Sequence, residues 1–262
     1  MNHSYEVSIV IPAYNESARL GRSLNRVLDF VHQEGWQAEV IVVDDGSSDG
    51  TAEIVKEYAR TNPMVRLLQN PGNRGKGYSV RNGMLNARGS IVLFTDADLS
   101  SPIEEASKLL EALDGGADVA IGSRWVRSEL QTQRQSVARQ VLGRTFNLLL
   151  RMLLQLEFKD TQCGFKAFRR SAAKMLFPLQ KIEGWGFDPE ILFLAGRMGF
   201  DVAEVPVVWA HAEGTRINPV ADGAKMVLEM LRIRWYALTG KYGDPPVTTT
   251  SGVLADGPHP RG

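Results

Sequence analysis

Short apolar runs alternate with amphipathic stretches through the first half of the chain. Val7 to Pro12, Val40 to Val43, Val65 to Leu68, Ile91 to Asp98 and Asp118 to Gly122 are rich in β-branched residues and too short for helices. They read as buried strands. Between them, Arg19 to Val31 carries apolar residues at helical spacing, and Thr51 to Ala59, Tyr78 to Ala87 and Pro102 to Leu113 also read as helices. Asn15 is placed to cap the first helix, and Ser48 or Asp49 the second. A glycine-rich turn, Asn70 to Gly77, leads into the third. This strand-helix order predicts right-handed crossovers and a doubly wound, mainly parallel α/β sheet flanked by helices.

The second half is less regular. Arg127 to Arg139 is polar and basic and reads as a mobile loop running into a helix, and Thr145 to Leu156 as an apolar-rich helix. Cys163 to Phe168 reads as a strand, Pro189 to Met198 as a helix, and Val202 to Trp209 as a strand. Ala221 to Leu238 forms a basic, amphipathic helix. The chain after Gly243 has no periodicity and reads as a disordered tail. No internal repeat is visible. No apolar run is long enough to span a bilayer; the nearest, around Leu148 to Leu154, is broken by Arg151.

The chain has 262 residues, and its 30 Lys and Arg balance 30 Asp and Glu. That neutrality argues against a dedicated nucleic-acid binder, yet leaves room for a local basic patch. Cys163 is the single cysteine, so no internal disulfide forms and a reducing compartment is expected. No basic segment precedes the first strand as in a signal peptide, which points to the cytoplasm.

The chemistry gathers at strand ends. The fourth strand ends in Asp96 and Asp98, with one small residue between them. Alternate residues of an extended chain share a face, so both carboxylates can point into one cleft at the carboxyl edge of the sheet. Two such acids suit a hard divalent cation carrying phosphates. The plainer alternative is a strand end followed by an acidic turn. Lys76 and Arg81 lie at the start of a helix beside glycines, where anions are favoured; the alternative is solvated charge on a turn. Arg124, Arg134 and Arg139 follow the fifth strand, and their planar forks match phosphate; the alternative is a solvated loop.

Five stretches, taken in order, resemble family 2 glycosyltransferases of the GT-A fold. They are Val7 to Glu16, Val-Asp-Asp-Gly-Ser-Ser-Asp-Gly-Thr (Val43 to Thr51), Asn-Arg-Gly-Lys-Gly (Asn73 to Gly77), Thr-Asp-Ala-Asp-Leu (Thr95 to Leu99) and Gly-Ser-Arg (Gly122 to Arg124). The resemblance covers about residues 5–240, with a nucleotide-sugar half to about 124 and an acceptor half beyond it. Asp160 to Lys166 and Gly184 to Glu190 bring it nearest to the dolichyl-phosphate β-glucosyltransferases.

The resemblance implies an inverting, metal-dependent transfer of glucose from UDP-glucose to a polyprenyl phosphate of the dolichyl type. It implies Pro12, Tyr14, Glu16 and Asp45 around the base and ribose, Lys76 and Arg81 approaching the nucleotide, and Arg216 near the diphosphate. Asp98 would bind Mg²⁺ or Mn²⁺, and Asp96 would hold ribose or sugar and support the metal. For Asp44 and Asp49 the plainer reading is turn geometry and helix capping, and for Asp49 it is the preferred one. Ser100 stands where mannose-using relatives have a metal-binding Gln, and it is not assigned to the metal. His211 is a candidate third metal contact or simply structural.

A phosphate acceptor is already ionised and needs cations to position it, for which Arg124, Arg134 and Arg139 are candidates. A hydroxyl acceptor needs a general base, and Asp188 is where relatives could place one. Otherwise Asp188 is structural or aids sugar binding. A polyprenyl acceptor also requires the enzyme to meet the cytoplasmic face of a membrane peripherally. The helices Thr145 to Leu156 and Ala221 to Leu238 could lie in that interface, or could simply complete the core. The competing readings are another donor such as GDP-mannose, a soluble hydroxyl acceptor, and a non-catalytic nucleotide-sugar binding module.

Overall fold

A computed structural model describes residues 6–126, 148, 150–209 and 219–243. Among them, seven strands form one sheet in the order β3-β2-β1-β4-β6-β5-β7. The strands are β1 (Val7–Ala13), β2 (Ala38–Asp44), β3 (Val65–Gln69), β4 (Ile91–Thr95), β5 (Val119–Ser123), β6 (Phe165–Arg169) and β7 (Val202–Pro206). All pairs are parallel except those of β6, which runs antiparallel between β4 and β5. The chain moves outward from β1 through β2 to β3, then returns to place β4 on the other side of β1. That reversal opens a crevice at the carboxyl ends of β1 and β4, where ligands bind in such sheets.

The helices are α1 (Ser17–Gln33), α2 (Thr51–Thr61), α3 (Lys76–Asn86), α4 (Ala106–Asp114), α5 (Arg170–Leu176), α6 (Phe187–Arg197) and α7 (Pro219–Leu238). A 3₁₀ turn, Ile103–Glu105, precedes α4, and residues 150–154 are helical. Both sheet faces are covered. Ile9, Ile11, Val40 and Val42 pack with α1, α2 and α4 on one side. Val10, Ile41 and Val43 pack with α3, α5, α6 and α7 on the other. Covering both faces explains why the strands read as continuous apolar runs.

Several boundaries differ from expectation. The last strand stops at Pro206, and α6 begins two residues early, at Phe187. Asn15 does not cap α1, whose cap position is Glu16. Instead Asn15 adopts a φ of 53° and its Oδ1 accepts from the Ser48 amide, which ties the β1 and β2 loops together. At α2 the cap position is Gly50, with left-handed φ, while the Asp49 carboxylate accepts from the Thr51 amide and hydroxyl. The same carboxylate accepts from Ser17 at the start of α1, and these hydrogen bonds, working against the cost of burial, hold its pKa at about 2. The basic loop at 127–139, the residues after Gly243, and Arg134, Arg139, His211 and Arg216 lie outside the described residues.

Candidate active site

The acid pair sits in a turn, not on an extended chain. β4 ends at Thr95, the Leu99 amide donates to the Asp96 carbonyl at 3.0 Å, and Leu99 has a φ of 47°. Strand alternation therefore does not orient the two carboxylates. Anchoring does: Ala97 and Leu99 turn inward at 5 and 7 % exposure, and Ser23 Oγ on α1 donates to the Ala97 carbonyl at 2.6 Å. Asp96 and Asp98 are left half-buried at the crevice. The Ser100 amide donates to Asp98 Oδ1 at 3.0 Å, so Ser100 helps orient the acid through its backbone.

Cations surround this turn. Lys76 Nζ, at the first residue of α3, lies 2.5 Å from Asp96 Oδ1 and 5.0 Å from the centre of the Trp185 ring. Burial disfavours the Lys76 ammonium, but Asp96, then Asp188 and Asp98, outweigh it and raise its pKa above the ordinary lysine value. Arg19 lies 4.0 Å from Asp98 and 2.7 Å from Glu16, linking the end of β1 to the second acid. Behind Lys76, Lys166 and Asp188 form a buried pair at 2.5 Å, with side chains 1 and 4 % exposed. Burial pushes the Asp188 carboxyl upward, and Lys166 and Lys76 pull against it. Lys166, Asp188, Lys76 and Asp96 thus alternate in charge from the core to the crevice.

Arg124 makes a two-pronged contact with Asp160: Nε at 2.7 Å and a terminal nitrogen at 2.8 Å. Its backbone amide donates to the same carboxylate. Burial opposes the charge, and Asp160 overcomes it, holding the guanidinium pKa above normal. Trp125 and Trp209 flank the guanidinium at 5.8 and 5.6 Å. Arg124 is therefore fixed by a carboxylate, with Asp96 also within electrostatic reach.

The predicted nucleotide side divides in two. Tyr14 presents a ring 42 % exposed beyond β1, beside half-buried Pro12 and Glu16. Asp45 is only 4 % exposed, and its carboxylate accepts from Asn70 Nδ2 and from the amides of Arg74 and Gly75. It shapes the glycine loop from beneath. Replacing Asp45 with Ala releases these three donors; the expected result is nucleotide affinity lowered about tenfold, read by calorimetric titration with UDP. Arg81 faces elsewhere, with its guanidinium on the Gln180 carbonyl and Glu183. Five residues on a helix span about 500°, so Lys76 and Arg81 cannot share a face. Of the two, Lys76 faces the acid pair and Arg81 does not.

Among the described residues no three His, Cys, Asp or Glu side chains converge on a metal position. Mg²⁺ is commonly held by one or two carboxylates plus substrate phosphates, so Asp98 with Asp96 fits that mode. Asp96 already supports a cation in the ammonium of Lys76. Cys163 is buried and its thiol is pushed up to about 11 by burial, so it offers no thiolate. Gly164 packs directly against the first acid: a Cβ there would stand 2.7 Å or less from three Asp96 carboxylate atoms. Gly164→Ala is expected to displace Asp96 and cut activity at least about tenfold with little change in Tm, measured by initial rates and thermal melting.

Sequence reasoning missed Arg19, Lys166 and Trp185, and did not give Asp160 its role beneath Arg124. A lysine inside the apolar run Phe165 to Phe168 was a usable signal, because a buried cation requires a partner. Arg19 carried none.

Residues 8–177 match the family described as glycosyl transferase family 2. The dolichyl-phosphate β-glucosyltransferase of Dictyostelium discoideum is 36 % identical over 247 residues, covering 89 % of this chain and 75 % of that one. The enzyme of that name from Saccharomyces cerevisiae is 37 % identical over 257 residues, covering 91 and 77 %. Glucosyl-3-phosphoglycerate synthase of Mycobacterium tuberculosis, solved with Mn²⁺, UDP and phosphoglyceric acid, superposes with a TM-score of 0.64 at 21 % identity, covering 93 % of this chain and 80 % of that one. Mannosyl-3-phosphoglycerate synthase of Rubrobacter xylanophilus gives 0.66 at 17 % identity, covering 90 and 75 %. At such identities these structures speak to the fold.

Proposed function

The chain belongs to glycosyl transferase family 2, and from that starting point we propose that it transfers glucose from UDP-glucose to a polyprenyl phosphate with inversion. The names of the most similar relatives support the sugar and the acceptor class. The observation that carries the acceptor reading is the state of Asp188. Its carboxylate is buried and spent on Lys166, so it is poorly placed to take a proton from a hydroxyl. An acceptor phosphate is ionised already. One of its oxygens attacks the anomeric carbon from the face opposite the donor diphosphate. The new carbon–oxygen bond forms as the bond to the diphosphate breaks, and UDP departs with that electron pair.

In this reading Tyr14, Pro12 and Glu16 border the base and ribose, with Asp45 holding the loop beside them. Lys76, drawn from Asp96, neutralises charge on the diphosphate. Asp98, supported by Asp96, would hold Mg²⁺ or Mn²⁺, which would supply charge stabilisation to the leaving group. Arg124 orients the acceptor phosphate, with Arg134 and Arg139 as further cations, and Arg216 joins Lys76 beside the donor diphosphate. The solved relative with Mn²⁺ and UDP supports this donor chemistry.

The test pairs a short polyprenyl phosphate with the corresponding alcohol. The phosphate is expected to accept glucose at least about a thousandfold faster, since a hydroxyl without a base forfeits that order of rate. Comparable glucosylation of the alcohol would restore Asp188, or another group, as a base.

A further inference from the structure

Along α7 one face meets solvent with apolar residues. Leu228, Leu231, Trp235 and Leu238 are 58, 50, 60 and 81 % exposed. Their spacing of three, four and three places them in one stripe about 80° wide. Opposite, Met230 and Ile233 are fully buried in the core. Helical geometry puts Lys225 and Arg232 along one border of the stripe and Arg234 along the other. From residue 223 to 243 the sequence has the cations Lys225, Arg232, Arg234 and Lys241, and one acid, Glu229. Glu229 is only 5 % exposed. The outward charge of this segment is therefore all positive in a chain that is neutral overall. Leucine and tryptophan exposed between cations suit the boundary of a lipid bilayer.

The inner face of the same helix reaches the acid site. Glu229 Oε2 accepts from the Gly186 amide at 2.9 Å. A Cβ at Gly184 or Gly186 would stand 2.5 or 2.6 Å from the Glu229 carboxylate, so these glycines permit the contact. Between them Trp185 covers Lys76, which pairs with Asp96.

We propose that α7 seats its apolar stripe among the headgroups of an anionic bilayer, setting the Gly184 to Gly186 segment and the acid site at the membrane surface. This deepens the lipid-phosphate reading, which needs such contact, but the surface is argued from exposure and charge alone. A second copy of the chain fits less well. Two copies meeting on this stripe would bring cations against cations, whereas anionic headgroups neutralise them.

The experiment is co-sedimentation of the full chain with phosphatidylcholine vesicles, with and without phosphatidylglycerol, and with no donor or polyprenyl phosphate present. A failure here is thus distinct from a failure of the acceptor reading. The chain is expected to bind the mixed vesicles and to bind phosphatidylcholine alone weakly. Trp235→Ser with Leu238→Ser should lower partitioning about tenfold or more. Arg232→Glu should lower it about fivefold or more on anionic vesicles only. Leu85→Ser, at another exposed leucine on α3, should have no effect. If the double variant misfolds by circular dichroism, Arg232→Glu carries the test. No vesicle binding, equal binding by the stripe variants, or a dimer that Trp235→Ser abolishes would overturn the proposal.

Discussion

Asp98→Ala is expected to lower kcat by about a thousandfold or more while the protein keeps its wild-type Tm. The side chain is half-buried at the crevice, and its removal leaves no unpaired charge in the core. Among the described residues it accepts one hydrogen bond, from the Ser100 amide, and lies 4.0 Å from Arg19. Both partners reach solvent, so the structural cost is small. Removing divalent cations from the wild type should produce a similar loss. The two losses should not add, because they delete one interaction. Initial rates at saturating donor, with and without chelator, read this directly. A chelator that reduces the variant as strongly as the wild type would place the metal on other residues.

The largest stability effect belongs to Lys166→Met, which strands the Asp188 carboxylate in the core. Removing one partner of a buried ion pair costs about 3–5 kcal/mol. The pair is nearly inaccessible on both sides, so solvent cannot absorb the change. Urea unfolding is the measurement. Its pH dependence has a definite sign. Burial already raises the Asp188 pKa, and Lys166 opposes that rise. Without Lys166 the carboxyl shifts further up. An acid with a raised folded pKa binds its proton more tightly when folded, so stability falls as pH rises from the ordinary carboxylate range through the raised value. The variant should therefore be relatively more stable near about pH 4 than at neutrality. Adding Asp188→Leu should recover most of the loss, since an apolar pair can replace a buried ionic one. If the double variant is stable but its KM for donor rises, the pair acts through Lys76.

Much of the fold was legible because a covered parallel sheet writes itself as brief apolar runs between helices. The strands β1, β2, β3 and β5 lie within a residue or two of their expected positions, while β4 ends at Thr95, three residues before the expected Asp98. The insertion of β6 antiparallel between β4 and β5 had no local signal, since its partners are distant in sequence. Asp96, Asp98 and Lys76 were legible from their place at strand and helix ends, and the structure brings them together. The expected extended geometry of the acid pair was wrong. The turn closed by Leu99 and pinned by Ser23 depends on a helix 74 residues away. Proximity to the glycine loop did not show that helical rotation turns Arg81 away from Lys76, toward Gln180 and Glu183. Asp160 shows the converse: the motif was visible, but its clamp on Arg124 emerged only with the fold.

Transfer of radiolabel from UDP-glucose to a short polyprenyl phosphate, with and without Mg²⁺, tests the account most directly. Wild type and Asp98→Ala are run side by side. The expected result is metal-dependent label in the lipid phase, lost in the variant. Release of UDP with soluble acceptors while the lipid phase stays unlabelled would contradict it.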